Sequence, residues 1–208
     1  SNFRPIALMS TLMKIYQSIL NSRLTTFLEE TYFFHDEQSG FRKNRSIMDC
    51  HLILKEIWNS RKHKIGLRGG KNKTDPLFLA FLDLRKAFDK VPRALLWQKL
   101  RDAGVPDSFL NRIRDQFSNI RGKVRIGELL TNEFDIASGV VQGSRLGPIL
   151  FDIFLNDLLG DLKKKSKGVA IANDIKVHCL AYADDLCLIA ENEIELQNML
   201  EICSKWAI

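Results

Sequence analysis

Apolar residues recur at helical spacing near the start of the chain. Leu12, Ile15, Tyr16, Ile19, Leu20, Leu24, Phe27 and Leu28 predict a long helix through this region. Residues 31–45 break the pattern, are rich in aromatics and end in Arg42, Lys43 and Arg45. Ser46 suits the cap of a second helix, with Ile47, Cys50, Leu54, Ile57 and Trp58 along one side. From 59 to 76 the periodicity stops. Arg61, Lys62, Lys64, Arg68, Lys71 and Lys73 alternate with Gly66, Gly69 and Gly70, which predicts a basic loop and a boundary at residue 76. Leu77 to Leu82 is a continuous apolar run of strand length ending on Asp83, the pattern of a strand covered on both faces.

Pro92 and Pro106 each open a helix, and Gly104 separates the two. Val124–Ile126 and Phe134–Ile136 have the composition of short strands around a turn. The segment from Ser138 to Gly147 is glycine-rich. It leads into a helix that buries Ile149, Leu150, Ile153, Phe154 and Leu158 and closes on Lys163, Lys164, Lys165 and Lys167. Val177–Ala183 and Leu186–Ala190 are apolar runs separated only by Asp184 and Asp185, a tight hairpin signature. A last helix starts near Glu193.

Composition changes this picture little. The chain has 208 residues, 45% of them hydrophobic and 27% charged, which supports a packed core and excludes a disordered or fibrous chain. Its net charge of +6 permits a polyanionic partner. No apolar run has the length of a membrane span, so no membrane partner is expected. Cys50, Cys179, Cys187 and Cys203 show no CxxC spacing and sit in apolar stretches, which predicts reduced core thiols in the cytoplasm or nucleus of a cell.

The candidate chemistry lies in three carboxylates at strand ends: Asp83, Asp184 and Asp185. An unpaired buried carboxylate is costly, and a divalent cation would relieve that cost. Mg²⁺ suits such oxygen donors, and two ions about 4 Å apart can activate a 3′-hydroxyl and stabilise a leaving pyrophosphate. Taken singly, an Asp after a strand is more often a turn residue or a helix cap.

A resemblance adds to this. Leu79-Ala80-Phe81-Leu82-Asp83-Leu84-Arg85-Lys86-Ala87-Phe88-Asp89 resembles motif A of reverse transcriptases. Ser138-Gly139-Val140-Val141-Gln142-Gly143 and the following residues to Phe151 resemble motif B, and Ala181-Tyr182-Ala183-Asp184-Asp185-Leu186 resembles the YxDD box, motif C. Asn2-Phe3-Arg4-Pro5-Ile6 and Gln38-Ser39-Gly40-Phe41-Arg42-Lys43 are similar to the upstream finger motifs. Order and spacing are those of non-LTR (LINE-type) retrotransposon enzymes, most similar to the CR1 and jockey branches.

The resemblance implies an α+β polymerase: a fingers-like region over 1–76, and over 77–208 a palm with a small antiparallel sheet and packed helices. It implies an RNA-directed DNA polymerase, or reverse transcriptase, that adds a dNTP to a DNA primer on an RNA template with two Mg²⁺ ions, or Mn²⁺, in the nucleus or cytoplasm of a eukaryote. Asp83 and Asp184 would hold both ions with the carbonyl of Leu84, and Asp185 would add negative field. Phe88 would be the steric gate under the sugar, although its composition fits a core equally well. Gln142 and Gly143 would lie beside the nucleotide and template base, and Arg4 and Arg42 would contact phosphate. The chain reads as a fragment lacking thumb and endonuclease. Two other readings stay open: an inert nucleic-acid-binding remnant and an RNA-dependent RNA polymerase.

Overall fold

The computed structural model describes residues 6–67, 76–172 and 175–207. In chain order the elements are α1 (Thr11–Glu30), α2 (Ile47–Leu67), β1 (Phe78–Asp83), α3 (Ala87–Lys90), α4 (Arg93–Asp102) and α5 (Asp107–Asp115). Four two-residue strands follow: β2 (Arg121–Gly122), β3 (Arg125–Ile126), β4 (Leu129–Leu130) and β5 (Phe134–Asp135). Next come α6 (Gly147–Lys165), β6 (Val169–Ala172), β7 (Ile175–Val177), β8 (Cys179–Tyr182), β9 (Asp185–Ala190) and α7 (Glu193–Trp206). These elements gather into two compact units, one holding residues up to 33 with 86–154, the other 34–85 with 155 onward. The units interleave along the chain, whereas the segments read from the sequence, 1–76 and 77–208, follow one another. The reason is topological: β1 finds its partners a hundred residues later, in β8 and β9.

In the first unit, Ser10 caps α1 by accepting from the Met13 amide at 3.3 Å. Leu20, Leu24 and Leu28 are buried, but Leu12, Ile15 and Ile19 of the expected stripe are exposed. Gln17 is buried instead, because its Oε1 accepts from Ser144 Oγ at 3.0 Å and from the Arg145 amide at 3.1 Å. Pro92 and Pro106 stand at the N-caps of α4 and α5, whose Leu96, Leu100, Leu110 and Ile113 are fully buried. Gly104 turns the chain between them at φ +81, a left-handed conformation that glycine adopts without steric cost. The two strands expected around 124–136 form a longer hairpin in two steps, β2 with β5 and β3 with β4. α6 begins in this unit and ends in the other.

The second unit is built on an antiparallel sheet of order β1-β9-β8, with a separate β6–β7 ribbon. α2 starts on a reciprocal cap: Ser46 Oγ accepts from the Met48 amide at 3.2 Å, and Asp49 Oδ2 accepts from the Ser46 amide at 2.7 Å. It then continues to Leu67, so residues 59–67 are helical and not part of a loop; residues 68–75, the rest of that expectation, lie outside the described residues. Arg61 explains the extension. Its guanidinium is buried and donates to the Pro76 carbonyl and to Glu191, each at 2.9 Å, tying the helix to the end of the β1–β9 pair where β1 begins and β9 finishes, opposite the aspartates.

Cys50 and Ile57 of α2 pack with Val169 and Val177 of the ribbon and with Cys187 and Ile189 of β9. Leu79 joins this cluster, but Phe81, two residues on, is 73% exposed. The expectation of cover on both faces of β1 is therefore corrected. β1 is an edge strand, and its cover ends before the strand does. α7 packs on β9 and β1 with Met199 fully buried, and it starts where Asn192 Oδ1 accepts from the Glu195 amide at 2.9 Å.

Candidate active site

Strand pairing brings the three carboxylates together at one end of the sheet. β1 closes on Asp83, β9 opens on Asp185, and the two residues are direct antiparallel partners. Tyr182 pairs with Asp185 from the other side, so Asp83, Asp185 and Tyr182 form one row on one face. Direct partners in such a pair have Cβ atoms about 4.5–5.5 Å apart. The turn itself consists of Ala183 and Asp184, one residue earlier than the sequence reading had it, since Asp185 already belongs to β9. Two-residue hairpin turns need left-handed backbone, and Ala183 supplies it at φ +58.

Asp83 and Asp185 are exposed and Asp184 is half-buried, so the cost of burying carboxylates is not the tension in this site. They stand at strand ends, beyond the reach of the apolar cluster under Leu79 and Ile189. The tension is like charge. Asp83 and Asp185 face each other directly, which is unfavourable. Among the described residues, none of the three carboxylates has an ion pair with Lys or Arg.

Residues 37–40 brace the turn from the outer side of β8. The Ala181 amide donates to the Glu37 carbonyl at 2.8 Å, and the Ser39 amide donates to the Ala181 carbonyl at 2.9 Å. Gln38 is 1% exposed, and its Oε1 accepts from the Gly40 amide at 2.9 Å and from the Ala183 amide at 3.3 Å. A Cβ on Gly40 would fall 2.1 Å from the Ala183 nitrogen, so only glycine permits this approach. Sequence reasoning singled out Arg42 in this segment and gave no role to Gln38 or Gly40. The available signal was a glycine inside a polar run, the mark of close backbone approach.

Arg42 is held within its own loop. Its Nη1 donates to the carbonyls of His35 at 3.0 Å and Gln38 at 3.4 Å, and the guanidinium lies over the Phe34 ring. Leu84 is the half-buried residue that follows β1. Phe88, Gln142 and Gly143 belong to the first unit. Phe88 stacks on buried Phe151 with ring centroids 4.9 Å apart, and its carbonyl accepts from the Val140 amide at 2.8 Å. The Gln142 carbonyl accepts from the Ala7 amide at 2.9 Å, and Gly143 at φ +110 lies where a Cβ would meet the Ala7 carbonyl at 2.5 Å. Arg4 lies outside the described residues.

Burial lowers the titration of His35 and His178, with nearby Glu37 acting the other way. Burial pushes the thiols of Cys187 and Cys203 up to about 11 and that of Cys179 well above its ordinary value. All four cysteines are free. Among the described residues no three His, Cys, Asp or Glu side chains converge as a cage that could hold an ion alone. The donors that do meet, Asp83 and Asp185 with Asp184 beside them, are acceptor-only oxygens. Such a set fits Mg²⁺, which is commonly held by one or two carboxylates with water and substrate phosphate completing the shell. No helix among the described residues is long and apolar enough to cross a membrane.

Comparison with known proteins gives a family match over the whole chain. Residues 1–208 match the family model described as reverse transcriptase (RNA-dependent DNA polymerase). The chain is 30% identical over 201 residues to a Pol polyprotein of the type-1 retrotransposable element R2 from Popillia japonica, covering 96% of this chain and 26% of that protein. It is 29% identical over 203 residues to the transposon TX1 149 kDa protein of Xenopus laevis, covering 96% of this chain and 14% of that one. The chain thus spans about a quarter or less of the length of these relatives. In fold it is similar to apo telomerase from Candida tropicalis, with a TM-score of 0.62 and 15% identity over 92% of this chain and 37% of that one.

Proposed function

From the premise that this chain belongs to the reverse transcriptase family, in its non-LTR retrotransposon branch, we propose that it carries RNA-directed DNA polymerase chemistry. The reaction joins the 3′-oxygen of a DNA primer to the α-phosphorus of a dNTP chosen by an RNA template. The bond from that phosphorus to the bridging oxygen breaks, pyrophosphate leaves, and the hydroxyl proton passes to solvent. The observation that carries this reading is the direct pairing of Asp83 with Asp185, with Asp184 in the adjoining turn. Their exposure supports it too, because substrate must reach them.

In this reading Asp83 and Asp184 hold the divalent cations, helped by the Leu84 carbonyl, and Asp185 adds negative field. Two Mg²⁺ or Mn²⁺ ions would neutralise charge on the transferring phosphoryl group and acidify the attacking hydroxyl. Phe88 gates the sugar, and its stack on Phe151 supports this by giving the ring one orientation. Gln142 and Gly143 lie along the nucleotide and template base. Arg4 takes phosphate. Arg42 contacts phosphate as well, its Nη1 already donating to carbonyls of its own loop. Residues 77–208 act as a palm and 1–76 as a fingers-like region. The free thiols suit the reducing interior of a eukaryotic cell, in nucleus or cytoplasm.

The test is extension of a DNA primer annealed to RNA, with dNTPs and Mg²⁺. Extension is expected, and Asp83→Asn or Asp184→Asn should lower it by roughly a hundredfold or more, as loss of a charge-stabilising group does. Near-normal extension by either variant overturns the site. Equal use of NTPs would mark an RNA polymerase, and salt-sensitive binding with no extension by any form would mark an inert nucleic-acid binder.

A further inference from the structure

Ala183 holds a left-handed backbone conformation, φ +58, that costs free energy in any residue with a Cβ. Hairpins usually place Gly, Asn or Asp at such positions. An alanine stays there only if its surroundings determine it, and residues 37–41 are those surroundings. Gln38 forms an isolated parallel bridge with Ala181, one strand residue before Tyr182. Its buried carboxamide oxygen is shared by the amides of Gly40 and Ala183. Gly40 closes against the Ala183 backbone with no room for a side chain. The next residue, Phe41, is itself left-handed at φ +57, so the bracing loop is also held in a disfavoured conformation. Strain of this kind persists where the structure over-determines it, commonly at functional sites.

We infer that Gln38 is a positioning residue for the carboxylates: its side-chain oxygen holds Ala183 left-handed and so delivers Asp184 and Asp185 to the end of β1. This rests on the polymerase reading for its consequence but not for its geometry. Gln38 touches no reacting atom. It acts through the Ala183 amide, which has no other acceptor among the described residues. Without that acceptor the turn can relax toward right-handed backbone, and Asp184 and Asp185 lose their fixed register against Asp83.

The experiment uses the full chain with Gln38→Met, which keeps side-chain volume and removes the acceptor, and Gln38→Ala as a second variant. In ion-free buffer, amide hydrogen exchange at Ala183 is expected to rise about tenfold or more, because exchange there requires only opening of the bond to Gln38. Exchange at Leu188 in mid-strand stays unchanged and reports that the fold is intact. The Cα and Cβ chemical shifts of Ala183 should also lose the signature of positive φ. In primer extension, kcat should fall about tenfold with KM for dNTP unchanged, the pattern of an effect felt in the transition state alone.

Ala183→Gly supplies the discriminating background, since glycine occupies left-handed backbone without help. There, Gln38→Met should cost about twofold or less, the coupling expected of residues acting through one contact. An equal loss in both backgrounds, or unchanged exchange at Ala183, overturns the inference. If no form of the chain extends a primer, the polymerase reading falls, while the exchange measurement still decides whether Gln38 sets the turn. If wild type extends, Asp83→Asn does not, and Gln38→Met equals wild type, the positioning role alone falls.

Discussion

Replacing Asp83 by Asn should make the ion-free protein more stable while removing its proposed activity. Asp83 and Asp185 are direct cross-strand partners, so their Cβ atoms lie about 5 Å apart, and carboxylates extending side by side stand at about that separation. Both are exposed, which places the effective dielectric near that of water. Coulomb's law then gives a repulsion of about 0.8 kcal/mol at low ionic strength. At physiological salt the screening length is about 8 Å, which roughly halves it. A chain of this size gains about 2–4 °C in Tm per kcal/mol, so roughly 2–3 °C is expected in dilute, chelator-treated buffer. The gain should vanish at 1 M salt, where the screening length is about 3 Å.

Mg²⁺ supplies the converse measurement. It should raise the Tm of wild type, by about 2.7 kcal/mol of stability at a hundred times its Kd, and leave Asp83→Asn nearly unmoved. The melts, with and without Mg²⁺ at two salt concentrations, decide the matter together. A variant less stable than wild type in ion-free, low-salt buffer refutes the like-charge argument. Equal Mg²⁺ stabilisation of both proteins refutes the assignment of the ion to this pair.

Gly40→Ala should lower stability by about 3 kcal/mol or more, because the new Cβ meets Ala183 backbone at 2.1 Å and backbone cannot move aside as a flexible side chain does; a shift of the urea midpoint measures it. Phe151→Ala should cost about 3–5 kcal/mol in the same assay, since Phe151 is fully buried, and it should loosen dNTP over NTP selection by freeing Phe88 from its stack. The thiols of Cys187 and Cys203 ordinarily titrate near 9 and are raised to about 11 by burial. The unfolded chain therefore releases these protons first, so stability from these groups is complete below pH 9 and declines as pH rises through 11. Denaturation followed from pH 8 to 11 should show that slope in wild type and less of it in Cys187→Ala, and an unchanged slope would exclude the thiol as its source.

Much of this architecture is written locally. Ser46 and Asn192 cap helices with their own side chains, Gly104 ends a helix by its own backbone, and the apolar run before Asp83 forms a strand of the expected length. Periodicity also indicated that carboxylates would stand at strand ends. Such features depend on neighbours a few residues away, and composition encodes those directly. The limits are equally local: Arg61 read as one cation of a loop, yet it anchors a helix, because Pro76 and Glu191 approach it only in the folded chain.

The amino-acid order alone marked the candidates for the proposed chemistry: three aspartates at the ends of apolar runs, within motifs spaced as in reverse transcriptases. Tertiary structure decided how they meet. It set the pairing of Asp83 with Asp185, left the carboxylates open to solvent, and brought Gln38 against a turn 145 residues away. A one-dimensional pattern carries the period of each element but not the register between distant ones. That register follows from which backbone groups pair, and from how far the covering helix reaches along the sheet.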